Sequence, residues 1–325
     1  MQQNESDTII TQSVLVPKPP KNAWAGIRKR LVRDRNLYLM LLPVIGFYLL
    51  FKLAPLGGEI IAFKNYRFAD GIWGSDWVGL KHFESLFASK EFYMVLKNTL
   101  LLNVYSLLFG FPAPIILALL LNEVRVEWYK RIVQNFLYLP HFISWVVLGG
   151  ILITILSPAR GVINSILTKG LGLDPIYFLG DTFWWPITFV LSGIWREAGW
   201  GTILYLAAMA NVDPQLYEAA KMDGAGKLRQ IWHITLPGIR STVAILLILK
   251  VGHMMDIGFE QIFVLQNDMV LGISDVISTY VYRIGLLSAQ YSYTTALGLF
   301  QSLIALILVI SVNKIVKLLG EKGLW

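Results

Sequence analysis

Six apolar stretches constrain this chain more than any other feature in it. They lie near 38–63, 98–121, 132–156, 184–210, 241–265 and 293–316, and each supplies roughly the 20 residues a helix needs to cross a hydrocarbon core. In lipid every backbone N–H and C=O must be satisfied within the protein, so runs of this length fold as helices. The expected fold class is an all-α membrane protein with six transmembrane helices. Composition agrees: 55% of the 325 residues are hydrophobic and 15% charged, against about 25% charged in soluble domains. Eleven tryptophans suit a protein with two membrane interfaces, where such rings gather. The chain has no cysteine, which excludes disulfides, iron–sulfur clusters and thiol chemistry.

Charge sets the expected orientation. Lys and Arg number seven in the N-terminal tail, three in 122–131, four in 211–240 and three at the C-terminal end, against five, two and one in 64–97, 157–183 and 266–292. The positive-inside rule places both termini and the 211–240 loop in the cytoplasm, an N-in/C-in topology. The net charge of +7 thus reads as a basic cytoplasmic face and not as nucleic-acid binding. Residues 1–36 read as a basic cytoplasmic tail and 37–325 as one membrane domain. The aromatic segments 73–98 and 174–185 are expected to lie along the outer bilayer surface or simply to connect spans.

The stretch 218-EAAKMDGAGKLRQIWHITLPG-238 looks at first like a phosphate-binding loop. A Walker A loop needs G-x-x-x-x-G-K-[ST]. Here Lys221 stands where the first glycine should be, and Leu228 follows Lys227 where the hydroxyl should be. Read as structure, Asp213 caps a helix that starts at Pro214, with Leu216, Tyr217 and Ala220 on one face. Asp223-Gly224 ends that helix, 225–234 forms a second, and Pro237-Gly238 stops it before the fifth span. The small residues Ala219, Ala220, Gly224, Ala225 and Gly226 leave a surface that another protein could approach closely.

The same segment, through Pro237, resembles the EAA loop of permease subunits in binding-protein-dependent ABC importers. Asn98-Thr99, 138-YLPHFIS-144 and 195-WREAGWGTILYLAAMANVDPQLYEAA-220 resemble the carbohydrate branch, related to the maltose permeases and close to permeases for oligo- and polysaccharides such as alginate. The departure is Gly226, where many members carry Ser. The resemblance implies a type I importer permease fold in a bacterial cytoplasmic membrane. It implies coupling roles for Glu218, Ala219, Ala220, Asp223, Gly224, Ala225 and Pro237, with the first short helix docked on an ATP-hydrolysing partner. The implied assembly is a second permease subunit, a paralogue in preference to an identical copy, with two ATPases and an external solute-binding protein. This chain would bind no cofactor itself, ATP and magnesium residing in the ATPases. It would be a transport subunit and not an enzyme.

Charged residues inside spans cost about 2.5–3.5 kcal/mol each at a helix centre and so face a partner or water. Arg196 and Glu197 fall in the fourth span beside Trp195 and Trp200. In the fifth, Lys250, His253, Asp256 and Glu260 fall within a 120° arc at 100° per residue. Two readings stay open. Arg196, Glu197, Trp200, Lys250, His253, Asp256 and Glu260 line a watery sugar path, or the charges pair internally and hold helices together. The cations Arg196 and Lys250 favour an acidic, alginate-like substrate. Histidines 82, 141, 233 and 253 share no metal-ligand spacing. A channel or a membrane-embedded enzyme is the alternative, and neither accounts for the EAA pattern.

Overall fold

The computed structural model describes residues 33–321 and residue 323; residues 1–32 of the expected basic tail lie outside the described residues. The chain divides into two compact units, Met1–Gly58 and Glu59–Trp325. The fold is all-α apart from a two-residue antiparallel ladder, β1 (Lys64–Asn65) with β2 (Asp76–Trp77), in which Lys64 faces Trp77. The helices that matter below are α1 (Arg35–Phe63), α2 (Lys81–Ala88), α3 (Lys90–Glu123), α4 (Glu127–Phe142), α5 (Trp145–Leu156), α6 (Trp184–Ala210), α7 (Pro214–Met222), α8 (Lys227–Gly252), α9 (Phe259–Leu265), α10 (Ile277–Val281) and α11 (Tyr291–Leu318). Among the described residues α1, α3, α8 and α11 are each long and apolar enough to cross a membrane, and α4 with α5 passes as a bent pair. At 1.5 Å per residue, α3 spans about 51 Å and so overruns a core about 30 Å thick.

The expected segments fall on helices at the first, second, fourth and sixth positions, α3 beginning eight residues before the expected 98, and the third and fifth fail informatively. The third, expected as one helix over 132–156, bends by 103° between α4 and α5. Pro140 lies in a tightened last turn, Ile143 is extended, and Ser144 caps α5 by accepting from Val147 N at 3.4 Å. The fifth, expected over 241–265, is displaced toward the 211–240 loop. Its helix runs continuously from Lys227 to Gly252, and 253–258 is irregular before α9. Pro237 does not stop the helix. The turn before it widens, so that Leu236 N–H bonds back five residues to Ile231 O, which accommodates a ring that would clash in a regular turn.

Several segments between the long helices are packed into the protein. Trp185 is fully buried, stacks on Phe189 at 5.5 Å and donates from Nε1 to Leu265 O at 2.9 Å. Gln261 donates from Nε2 to Phe189 O at 2.7 Å, so α9 is bonded to α6 at two heights. Phe87 of α2 meets Phe300 of α11 edge-on at 5.5 Å. Asn98 donates to Gly272 O and Asp275 O at 3.0 and 2.9 Å, and Ile277 N donates to Thr99 Oγ1 at 3.0 Å. The Asn98-Thr99 pair therefore anchors the 266–292 segment to α3. There burial pushes the Asp275 carboxyl above its usual range, against the hydrogen bond from Thr279 and the charge of its ion-pair partner Arg283.

Close packing of α4 on α6 depends on Gly199, where a Cβ would fall 1.9 Å from Leu137 O. Gly199→Ala is expected to lower stability by about 1–3 kcal/mol through enforced separation of these helices. A Cβ on Gly150 meets nothing within 4 Å, so Gly150→Ala is the silent control. Thermal melting of the purified protein in detergent checks both, and equal midpoints would refute the close-packing argument.

Candidate functional site: a cavity at two helix breaks

The two breaks meet around one cavity. It holds about 460 Å³ and is lined from α3 by Asn103 and Ser106, from α5 by Trp145, from α6 by Arg196, Glu197 and Trp200, and from the end of α8 and the irregular segment by Lys250, His253 and Asp256. That volume falls within the range of small-molecule sites, roughly 300–1,000 Å³. Six of the seven candidate path residues thus share one space. Glu260 does not: α8 ends at Gly252, so the wheel that put it on the stripe has no helix to stand on, and it sits exposed in the first turn of α9.

Within the cavity the charges divide into two kinds. Arg196 is fully engaged. Its Nε donates to Ile143 O at 3.2 Å, its Nη1 meets Glu197 Oε1 at 2.5 Å, and its guanidinium lies 5.0 Å from the centre of the Trp145 ring. Glu197 also has His141 Nδ1 at 3.0 Å, and the His141 ring stacks on Trp200 at 4.7 Å with 1° between planes. This cluster is the Arg196 half of the internal network that one sequence reading expected, without the Lys250 pair, and it holds the α4–α5 bend to α6. The Arg196 bond takes up the carbonyl of Ile143, in the short linker between the two helices. By contrast, the side chains of Lys250 and Asp256 have no hydrogen-bond or ion-pair partner among the described residues. His253 Nδ1 lies 2.9 Å from Leu249 O, one turn back.

The first helix of the 211–240 loop and its stop have the geometry their residues imply, whereas the separate second helix expected over 225–234 is the start of α8. Asp213 accepts from Gln215 N at 2.9 Å and Pro214 opens α7. At the other end Ala225 N bonds Ala220 O at 2.8 Å and Gly224 N bonds Lys221 O at 3.1 Å, around a Gly224 φ of +72°. This is the paired-bond helix stop that requires a left-handed residue. A Cβ at Gly224 would meet nothing within 4 Å, so within this chain its glycine serves the backbone angle and not clearance. Glu218, Ala219, Asp223 and Gly224 are exposed, Ala220 and Ala225 half-buried, and Met222 is 89% exposed. Tyr217 OH lies 3.0 Å from Thr235 Oγ1, Gln230 donates to Ala225 O at 2.7 Å, and Lys227 pairs with Glu123 at the end of α3. The turn is braced to α3 and α8 as one piece. Pro237 lies inside α8, away from the exposed turn.

Residues 110–322 match the family described as "Binding-protein-dependent transport system inner membrane component". The chain belongs to that family. It is 48% identical to the polygalacturonan/rhamnogalacturonan transport system permease protein YteP of Bacillus subtilis over 91% of this chain and 92% of that one. It is 47% identical to Protein LplB of the same organism over 95% and 99%. Among solved structures, a bacterial alginate ABC transporter in complex with an alginate pentasaccharide-bound periplasmic protein superposes with a TM-score of 0.84 at 44% identity, covering 91% of this chain and 99% of that one. The protein is therefore the multi-pass membrane permease component of a bacterial ABC importer, resident in the inner membrane, and the family is one of transport components and not of enzymes.

Gly224→Ala forces a Cβ into a left-handed turn at roughly 1–2 kcal/mol, and Gly224→Asn at less. Hydrogen exchange on the purified protein should show the amides of 224 and 225 opening sooner in the alanine variant, with α7 otherwise intact. Equal protection in the two variants would contradict the assignment of the turn.

Proposed function

We propose that this permease forms one half of the translocation path of an importer for acidic oligo- or polysaccharides. Six spans, N-in and C-in, are α1, α3, the bent α4–α5, α6, α8 with α9, and α11, in a membrane domain covering 37–325. The distribution of Lys and Arg supports this topology. A paralogous permease subunit supplies the other half, two ATPases hold ATP and magnesium, and an external solute-binding protein delivers the sugar. The exposed turn formed by Glu218, Ala219, Ala220, Asp223, Gly224 and Ala225 docks on an ATPase, and its bracing to α3 and α8 carries the motion inward.

The observation that carries the substrate class is Lys250, a cation in the cavity with no partner among the described residues. A neutral sugar gives such a charge nothing to pair with, whereas each uronate unit brings a carboxylate. Relatives named for polygalacturonan transport and for alginate handle chains of that chemistry. Arg196, already paired and bonded, has the positioning role.

Lys250→Gln in the reconstituted importer should lower uptake of a uronate oligosaccharide roughly 10- to 100-fold while sparing a neutral one of equal length. Arg196→Gln should depress both alike and lower thermal stability, because it releases the Ile143 carbonyl and Glu197. Loss of both substrates in the Lys250 variant would count against the acidic reading. Glu218→Ala, which removes no contact within the described residues, should leave the permease folded yet reduce substrate-stimulated ATP hydrolysis. Unchanged hydrolysis would exclude a coupling role for that side chain.

A further inference from the structure

A second, open-sided cavity of about 400 Å³ adjoins the first at Asp256 in the same irregular segment. It is bounded by the start of α9, by α10 and the turn that continues it, and by the outer half of α11. Asp256 lines both cavities and is the only residue common to their linings. The chemistry of the second space differs from that of the first. Phe259 and Tyr282 supply rings whose centroids are 5.4 Å apart, and Asp256, Ser278, Thr294 and Gln301 supply the polar atoms.

Most of their donors are already committed, one N–H of Gln301 Nε2 remaining. Ser278 Oγ donates to Ile257 O at 3.3 Å, Thr294 Oγ1 donates to Gln290 O at 3.0 Å, and Gln301 Nε2 donates to Met255 O at 2.5 Å. What these groups retain is chiefly acceptor capacity, with one N–H of Gln301, to which Asp256 adds a carboxylate with no partner among the described residues. A lining of aromatic faces and free acceptors suits a ligand with apolar ring faces and hydroxyl donors, which is the chemistry of a pyranose. The lysine that would greet a carboxylate belongs to the other cavity.

We propose that this second cavity is a further sugar-binding subsite, in which one unit of the transported chain stacks on Tyr282 and donates hydroxyls to Asp256, while a neighbouring unit occupies the Lys250 cavity. The inference rests on the proposed reading of that first cavity as the path. Asp256 repels a uronate carboxylate, so the unit enters with its hydroxyl edge toward the shared wall. The order of the subsites follows from α11: Thr294 and Gln301 lie within eleven residues of its start at Tyr291, so the second subsite lies toward the outer membrane face.

The absence of cysteine makes occupancy directly measurable. Ser278→Cys reports on the second cavity and Ser106→Cys on the first, each as the sole thiol of this chain within the complete nucleotide-free importer. Alkylation of this chain is followed with and without tetragalacturonate. Protection of both thiols is expected, and Tyr282→Ala in the Ser278→Cys background should raise the half-protecting concentration about tenfold, with Tyr282→Phe near the parent. Protection at 106 alone overturns the second subsite and leaves the path reading standing. Protection at neither position defeats the path reading itself. A thiol at 278 shielded without sugar identifies a seam covered by another subunit, and the proposal falls.

Discussion

Every broken helix at membrane depth raises one demand, that the carbonyls it frees be bonded by something other than water or lipid. In this permease the demand is met twice by long polar side chains from a neighbouring helix. Arg196 of α6 takes the Ile143 carbonyl at the α4–α5 bend, and Gln301 of α11 takes the Met255 carbonyl in 253–258, aided by Ser278 on Ile257 O. The bonds fix where the chain can be irregular, and the irregular segments in turn make the cavities. A regular α8 running through 253–258 would carry its side chains around a closed backbone and leave no room there. The binding space is thus a consequence of where unsatisfied backbone could be tolerated.

The rigidity of that arrangement comes from α9. It is seven residues long, too short for its own hydrogen bonds to hold it as an isolated helix. Trp185 on Leu265 O and Gln261 on Phe189 O tie both of its ends to α6, and Ile262 and Leu265 are fully buried or nearly so in the same apolar cluster as Trp185 and Phe189. Phe189 and Gln261 of this tie also line the cavity, so α6 acts as the scaffold on which both breaks are registered.

What the sequence disclosed and what it hid follow from range. The Asp213-Pro214 cap and the Asp223-Gly224 stop are decided within a few residues, and the structure has both as read. Polar residues in apolar surroundings are equally local signals, which is why Arg196, Glu197, Trp200, Lys250, His253 and Asp256 could be named before their cavity was known. The breaks were not legible, because 253-HMMDIG-258 is apolar enough to continue a helix, and the residues that stabilise its unwinding lie at 278 and 301. Placing Glu260 on the stripe assumed an unbroken 100° step, so the error grew from the break outward. Pro237 misled for the opposite reason: a single widened turn absorbs the ring, and nothing in the sequence announces such a turn. Asn98-Thr99 was visible as a family feature, yet its work is done on residues more than 170 positions away.

Electrostatics complete the division of labour. Arg196 and Glu197 neutralise one another, and each is further held, by Trp145 and Ile143 on one side and His141 on the other, so neither can respond strongly to an arriving charge without loosening the bend. Lys250 and Asp256 are not held in this way by any side chain or carbonyl among the described residues. For a uronate chain the consequence is directional. On the proposed reading the carboxylate is drawn toward Lys250, in the last turn of α8, and driven from Asp256, in the irregular segment, while hydroxyls donate to Asp256 and their oxygens accept from Lys250, so the two opposite charges would orient a polymer. A neutral glycan would offer hydroxyls to both side chains but no charge to either, so on that reading the contrast between acidic and neutral chains comes from the pair of charges and not from any single contact.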